Sequence, residues 1–242
     1  MKIFYLNCFR LLKHSKNGQR EWLIKYINEN DIDVVCLAES SNYDIGDDFS
    51  ESFPKEYRWK PPESELRNMG FKFNICSKHK VEFTPINYTV PPELSGGIDN
   101  TLVGYGEGTI IRMKFDCLDS VVTCVHIKHK KTKSQKLLPG NAFYEFGLRI
   151  LYDHMISEKP IVVFGDFNNY PDDKSFLRLT EESDYRDVKI NKIPYSYKRS
   201  PKDTGGVLID HAFSNRDNVQ MEYVDAIGHN FNHHGMLINV NQ

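Results

Sequence analysis

The chain has 242 residues, 40% of them hydrophobic and 26% charged, with a formal net charge of −2 at pH 7. That length supports one domain with a large core, residues 1–242, and the composition excludes a disordered or fibrous protein. The near-neutral charge excludes a surface coated in cations for bulk nucleic-acid binding, while leaving room for a local basic strip. The five cysteines, Cys8, Cys36, Cys76, Cys117 and Cys124, lie in or beside apolar runs and form no CxxC pair. An odd number so placed implies reduced thiols and a reducing, cytoplasmic setting, and speaks against a structural zinc site. The opening MKIFYLN leads directly into a strand pattern without signal-peptide features, and no apolar run approaches membrane-spanning length, so a soluble protein is expected.

In chain order, Ile3 to Asn7 reads as a strand ending on a polar residue. After a basic loop with Arg10, Lys13, His14 and Lys16, Gly18 to Asn30 sets Trp22, Leu23, Tyr26 and Ile27 at helical spacing. The run Val34 to Ala38 is a strand that delivers Glu39. This β-α-β opening puts Asn7 and Glu39 at like ends of two strands if these are parallel neighbours. An acidic, irregular stretch from Ser40 to Lys60 reads as a solvated loop. Phe71 to Cys76, Val81 to Thr84, Gly108 to Phe115 and Ser120 to Ile127 then have strand character, separated by turn formers such as PPELSGGIDN. The last of them carries His126.

KHKKTKSQK, residues 128–136, holds five lysines in nine residues. Such a run is a solvated loop or, following a site residue, a contact for the phosphates of a polyanion. Asn141 to Ser157 is the clearest helix, with Phe143, Phe146, Ile150, Leu151 and His154 along one face. The apolar run Ile161 to Phe164 then stops at a glycine and hands Asp166, Asn168 and Asn169 to a turn closed by Pro171. A short helix around Ser175 to Thr180 follows, and then strands Val207 to Phe213, Met221 to Ile227 and Met236 to Val240.

The segment GDFNN concentrates the chemistry. A carboxylate accepts a proton from an attacking water or faces a hard cation, and an amide two residues on donates to an anionic oxygen without adding negative charge. That pairing suits phosphate-ester hydrolysis, although Gly-Asp-x-Asn also serves as an ordinary strand-ending turn. The other polar strand ends decide: Asn7, Glu39, His126, Asp166 with Asn168, Asp210, and the pair His233-His234. Each has a structural alternative, as a turn cap, a satisfied core histidine or a strand terminator, but six together point to a site.

In this order and spacing, the segments IFYLN, VVCLAES, VVTCVHIKH, VVFGDFNNYPDD, GGVLIDHAFS and NHHGML resemble the endonuclease/exonuclease/phosphatase superfamily over nearly the whole chain. The resemblance implies a DNase I-like fold, a four-layer α/β sandwich of two mixed β-sheets packed face to face with helices outside. It implies a hydrolase of phosphodiesters or phosphomonoesters that uses a divalent cation, Mg²⁺ or Mn²⁺. By position, it implies that Asn7 and Glu39 hold the cation and that Asp166 and Asn168 orient water and phosphate. It further implies that His234 acts as base or phosphate-binding cation, that Asp210 orients His234, and that His126 is a second catalytic histidine. The chain departs from the family where Ser-Asp-His precedes the final strand. Here Asn232-His233-His234 stands, so that His233 replaces a carboxylate near the metal and favours Mn²⁺ over Mg²⁺. A register shifted by one residue is the alternative.

Glu39 is followed by Ser-Ser-Asn instead of the Thr-Lys of abasic-site endonucleases, and LIDHAF lacks the Asp-Arg of inositol polyphosphate phosphatases. A DNA or RNA endonuclease or exonuclease is therefore expected, with a phosphatase or diesterase for a small phosphoester, or a non-catalytic binding module, as alternatives. Lys128, Lys130, Lys131 and Lys133, with Tyr195, Tyr197, Lys198 and Arg199 of PYSYKR, would bind a nucleic-acid substrate by phosphate contacts and base stacking. The alternative for PYSYKR is a surface loop with its aromatics packed inward. No membrane and no obligate protein partner is expected.

Overall fold

The central strands are near-continuous apolar runs, and because successive side chains point to opposite faces, each of these strands buries both of its faces. The computed structural model describes residues 1–8, 18–40, 53–61, 73–87, 109–127, 140–170, 173–199 and 204–241. Its first part comprises β1 (Lys2–Asn7), α1 (Gln19–Glu29), β2 (Val34–Ala38), β3 (Phe73–Ser77), β4 (Val81–Asn87), β5 (Thr109–Phe115) and β6 (Val121–His126). There follow α2 (Gly140–Glu158), β7 (Val162–Asp166), α3 (Lys174–Glu181), β8 (Arg186–Asp187), β9 (Asp210–Ser214), β10 (Val219–Val224), a 3₁₀ turn at Ile227–His229 and β11 (Gly235–Val240).

These strands form a five-stranded sheet, β10-β11-β1-β2-β3, and a six-stranded sheet, β4-β5-β6-β7-β9-β8. Each is mixed, with one parallel pair, β1 with β2 and β6 with β7, and antiparallel neighbours otherwise. In both parallel pairs the crossover runs through a helix, as a parallel connection requires.

Ile3, Tyr5, Val34, Cys36, Ile75, Val122, Cys124, Val162, Phe164, Ala212, Met236 and Ile238 fill the layer between the sheets. The alternate residues Phe4, Leu6, Val35 and Leu37 face outward beneath Leu23 and Ile27 of α1. On the other side Val125, Val163 and Phe213 lie beneath Tyr144, Leu148, Leu151 and Met155 of α2 and Phe176 and Leu179 of α3. Helix, sheet, sheet and helix thus make the four layers. Full burial of each such aliphatic or aromatic side chain contributes about 1.5–3 kcal/mol.

Several boundaries differ from the sequence reading. The buried stripe of α2 is Tyr144, Leu148, Leu151 and Met155, with His154 also buried, whereas Phe146 and Ile150 are half-buried at its flank. The strand expected at Val207 begins at Asp210, and the one expected to reach Ile227 ends at Val224. The two-residue β8 is too short to leave a periodic signal. Beyond it, Met221 of β10 bonds Val188 and Ile190, at 2.9 and 2.8 Å, while Val188 N–H reaches Ala212 at 3.1 Å. The chain thereby ties the edge of one sheet to the edge of the other. All five cysteines are free, four of them buried. No helix among the described residues is long and apolar enough to cross a membrane.

Candidate active site

The alternation that buries the core also aims the polar strand ends. Asn7 continues the inward set Ile3 and Tyr5, His126 continues Val122 and Cys124, Asp166 continues Val162 and Phe164, and Asp210 precedes Ala212. Register then aligns them. His126 lies opposite Asp166, and Asp166 opposite Asp210, so three adjacent strands place their site residues in one row. Asn7 lies opposite Ala38, which puts Glu39 one residue beyond it on the parallel neighbour. As the sequence reading expects, both stand at the same end of their strands.

Special backbone shapes finish the placement. Gly165 has φ +143°, and a Cβ there would lie 1.9 Å from the Val125 carbonyl oxygen on β6. Only glycine allows the two central strands to pass this closely. Glu39 and Asn168 both adopt the left-handed region at φ 51°. Asn168 closes an Asx turn, its N–H donating to Asp166 Oδ1 at 2.7 Å, and its amide donates to Ile127 O at 2.8 Å. Asn169 is pinned from behind by a 2.6 Å hydrogen bond from its amide to the buried Tyr144 hydroxyl.

The Asn7 amide joins the two sheets, donating to Asp166 Oδ2 at 2.9 Å and to Glu39 Oε1 at 3.2 Å. His126 Nε2 meets the same Glu39 oxygen at 3.1 Å. Burial works to raise the Glu39 pKa, but the hydrogen bond and charge of His126 and the Asn7 amide outweigh it and bring the group down to about 2. Asp166 behaves oppositely. Burial, with Asp210 and Glu39 close by, pushes it up to about 7.

Asp210 is paired with His233, not with His234. Its Oδ2 meets His233 Nδ1 at 2.8 Å, both side chains being essentially inaccessible. Burial opposes a charge on His233, yet the Asp210 carboxylate beside it holds its pKa above the ordinary value. His234 points elsewhere. Its Nδ1 donates to Val224 O at 3.3 Å, the ring stacks on Tyr195 with centroids 5.3 Å apart, and burial lowers its pKa.

The reason lies in strand phase. Extrapolating β11 backwards from Met236 turns His234 inward, but the ladder stops at Gly235, and His233 pairs instead with Tyr197 in an isolated bridge. That break resets the alternation by one residue. The residue before the carboxylate-bound histidine is therefore Asn232, not His233. Its amide donates to the carbonyls of Lys198 and Arg199, at 3.0 and 2.7 Å. The expected preference for Mn²⁺ rested on an imidazole near the metal, and His233 stands with Asp166 and Asp210 in one of the groups that could hold an ion.

Of the residues expected to bind substrate, Lys128, Lys130, Lys131 and Lys133 lie outside the described residues. Tyr197 tilts against His233 with centroids 4.7 Å apart, Lys198 Nζ lies 4.7 Å from the centre of the Tyr195 ring, and Arg199 is exposed. PYSYKR thus borders the site with half-buried aromatics, intermediate between the two readings. The sequence reading missed Ser196 and Tyr223. Ser196 Oγ accepts the amides of Ile209 and Asp210, and the Tyr223 hydroxyl donates to Asp210 O. Neither belongs to a motif, and the sequence signal was only a small polar residue between two tyrosines.

The donor set suits a hard divalent cation. Glu39 is anionic, both its hydrogen bonds fall on Oε1, and Oε2 remains for a ligand among the described residues. Glu39, His126 and Asp166 can bring ligand atoms within 4.8 Å of one another, as can Asp166, Asp210 and His233. Asp210 Oδ1 is buried without a partner among the described residues. Crowded carboxylates with spare oxygens are the surroundings Mg²⁺ takes up.

Fold and site together are those of a DNase I-like phosphoesterase. The chain belongs to the endonuclease/exonuclease/phosphatase family, whose model matches residues 6–227. It is similar in structure to Danio rerio TDP2 complexed with a single-strand DNA product, at TM-score 0.65 and 15% identity, covering 100% of this chain and 99% of that one. A mannosyl-6-phosphatase of Bacteroides thetaiotaomicron superposes at TM-score 0.68 and 13% identity, covering both chains completely. A mutant Staphylococcus aureus beta toxin with bound magnesium ions superposes at 0.65 and 12% identity, covering 99% of each chain. At such identities the likeness is one of fold. A search of the curated proteins finds no match.

Proposed function

We propose that the protein is a divalent-metal-dependent phosphodiesterase acting on DNA or RNA. The observation that carries this reading is the buried Asp210–His233 pair standing in one constellation with the Asn7–Glu39–Asp166 cluster. Glu39, assisted by Asn7, holds the cation, which when bound stabilises charge developing on the phosphoryl and leaving oxygens. Asp210 fixes the His233 tautomer by occupying Nδ1, which leaves Nε2 to take a proton from water or to face the phosphate. Asp166, held on both oxygens by the Asn7 side chain and by the Asn168 backbone N–H, orients the attacking water. His126 delivers a proton to the leaving oxygen. Nucleic acid is favoured by the aromatic and cationic border of Tyr195, Tyr197, Lys198 and Arg199, which suits stacking on bases and contact with phosphates. The structurally similar TDP2, complexed with a single-strand DNA product, supports this reading.

The test is nicking of supercoiled plasmid at low salt with Mg²⁺ or Mn²⁺, beside a small chromogenic diester and an Asp166→Ala control. Metal-dependent nicking absent from the control is expected. Hydrolysis of the small diester alone would replace nucleic acid with a small phosphoester substrate. Turnover of neither substrate with either ion would overturn the reading.

A further inference from the structure

The two members of the Asp210–His233 pair come from different sheets. Asp210 opens β9 in the six-stranded sheet, and His233 sits two residues before β11 in the five-stranded one. Something must set their separation, because a 2.8 Å bond between side chains on independent layers is sensitive to small displacements of either. Ser196 bonds the chain on both sides of that gap. Ser196 is completely buried, and its Oγ accepts the Asp210 amide at 2.8 Å and the Ile209 amide at 3.0 Å. Its carbonyl accepts the His234 amide at 2.7 Å. The flanking residues repeat the connection, Tyr197 in a bridge with both Val207 and His233, and Lys198 N–H donating to Asn232 O at 2.8 Å. The Tyr223 hydroxyl of β10 holds the Asp210 carbonyl. The amide and the carbonyl of Asp210 are thus both tied to groups outside its own sheet.

We infer that Ser196 is a positioning residue, whose hydroxyl and carbonyl set the distance between the carboxylate of one sheet and the histidine approach of the other. This assignment rests on the proposed hydrolytic role of His233 only for its kinetic consequence. The geometric part concerns the pair itself. An alanine at this position would leave the half-buried Ile209 amide and the buried Asp210 amide without an acceptor, and β9 would slide until they found one. A cysteine is nearly isosteric but a weak acceptor, and carries the same test if the alanine variant does not fold.

The experiment compares wild type, Ser196→Ala and Ser196→Cys by low-field proton NMR. The His233 Nδ1–H resonance is identified by its absence in His233→Gln, and turnover of a small chromogenic phosphodiester with Mg²⁺ is measured alongside. In the variants the resonance should shift or broaden. The turnover number should fall on the order of tenfold, the rate equivalent of one lost hydrogen bond, with KM little changed. A lowered melting temperature with an unchanged resonance and unchanged turnover would make Ser196 merely structural and overturn the inference. Absence of the resonance in wild type would also overturn it, since there would be no pair to position. If wild type shows the resonance but no turnover on any phosphoester, the functional proposal fails and the NMR comparison still decides the role of Ser196.

Discussion

Replacing Gly165 with alanine tests the backbone construction that brings Asp166 level with His126. The added Cβ would lie 1.9 Å from the Val125 carbonyl oxygen and 2.9 Å from two further backbone atoms, and no side-chain rotation relieves contacts with backbone. Holding an L-residue at φ +143° adds strain of about 1–3 kcal/mol, and forcing the central strands apart adds an overpacking cost of about 1–3 kcal/mol. The sum centres near ~4 kcal/mol, a large part of the ~5–15 kcal/mol that keeps a domain folded. For a chain of this size that lowers Tm by about 10 °C. Urea titration and calorimetry measure it, and the folded variant at low temperature should also be slow, because Val125 and Gly165 each precede a site residue. A fall of less than about 3 °C with unchanged turnover would refute the claim that the close approach of β6 and β7 positions the site.

The register predicts unequal histidines: His233→Ala should reduce turnover by about 10²–10⁴, and His234→Ala by far less, in the plasmid assay. Equal losses would contradict the pairing. Asp166, with a pKa of about 7, takes up a proton in acid that competes with a cation, so Mg²⁺ should raise Tm more at about pH 8 than at about pH 6. Thermal melts with Mg²⁺ or chelator should show this, and Glu39→Gln should abolish most of the shift. Asn232→Asp removes the donor for two carbonyls and sets a carboxylate against them, at a cost of about 2–3 kcal/mol readable in urea. His154 is buried against Thr123 Oγ1, and burial lowers its pKa, so the unfolded chain takes up its proton first. Its contribution is complete above about pH 6.5 and is lost as pH falls through the folded value, so the stability gap between wild type and His154→Gln should narrow in acid.

The site was legible where a residue's role follows from strand parity within a continuous ladder. Asn7, His126, Asp166 and Asp210 each extend an apolar alternation, so their direction and shared level could be read from spacing. Glu39 followed from the parallel partner of Asn7. Legibility ended where the ladder is interrupted. His233 and His234 differ by one position across the break at Gly235, and only the bridge to Tyr197 decides which of them faces Asp210. Ser196 was hidden for another reason, since its partners are backbone amides 13 and 14 residues away and a side chain that holds backbone leaves no pattern. The α2 stripe was misplaced because several apolar residues adjoin one another there, and periodicity alone does not rank them.

The inter-sheet position of the Asp210–His233 pair makes the sandwich a caliper. Tyr5 and Phe164, packed edge to face at 5.9 Å, stand two residues below Asn7 and Asp166 on facing strands and so help set the gap that the pair must span. A cavity or an extra methyl group in that layer would then register as slower turnover before it registered as unfolding. In this chain the interior residues nearest the site act on its chemistry as spacers, and selection on turnover reaches them without their touching substrate.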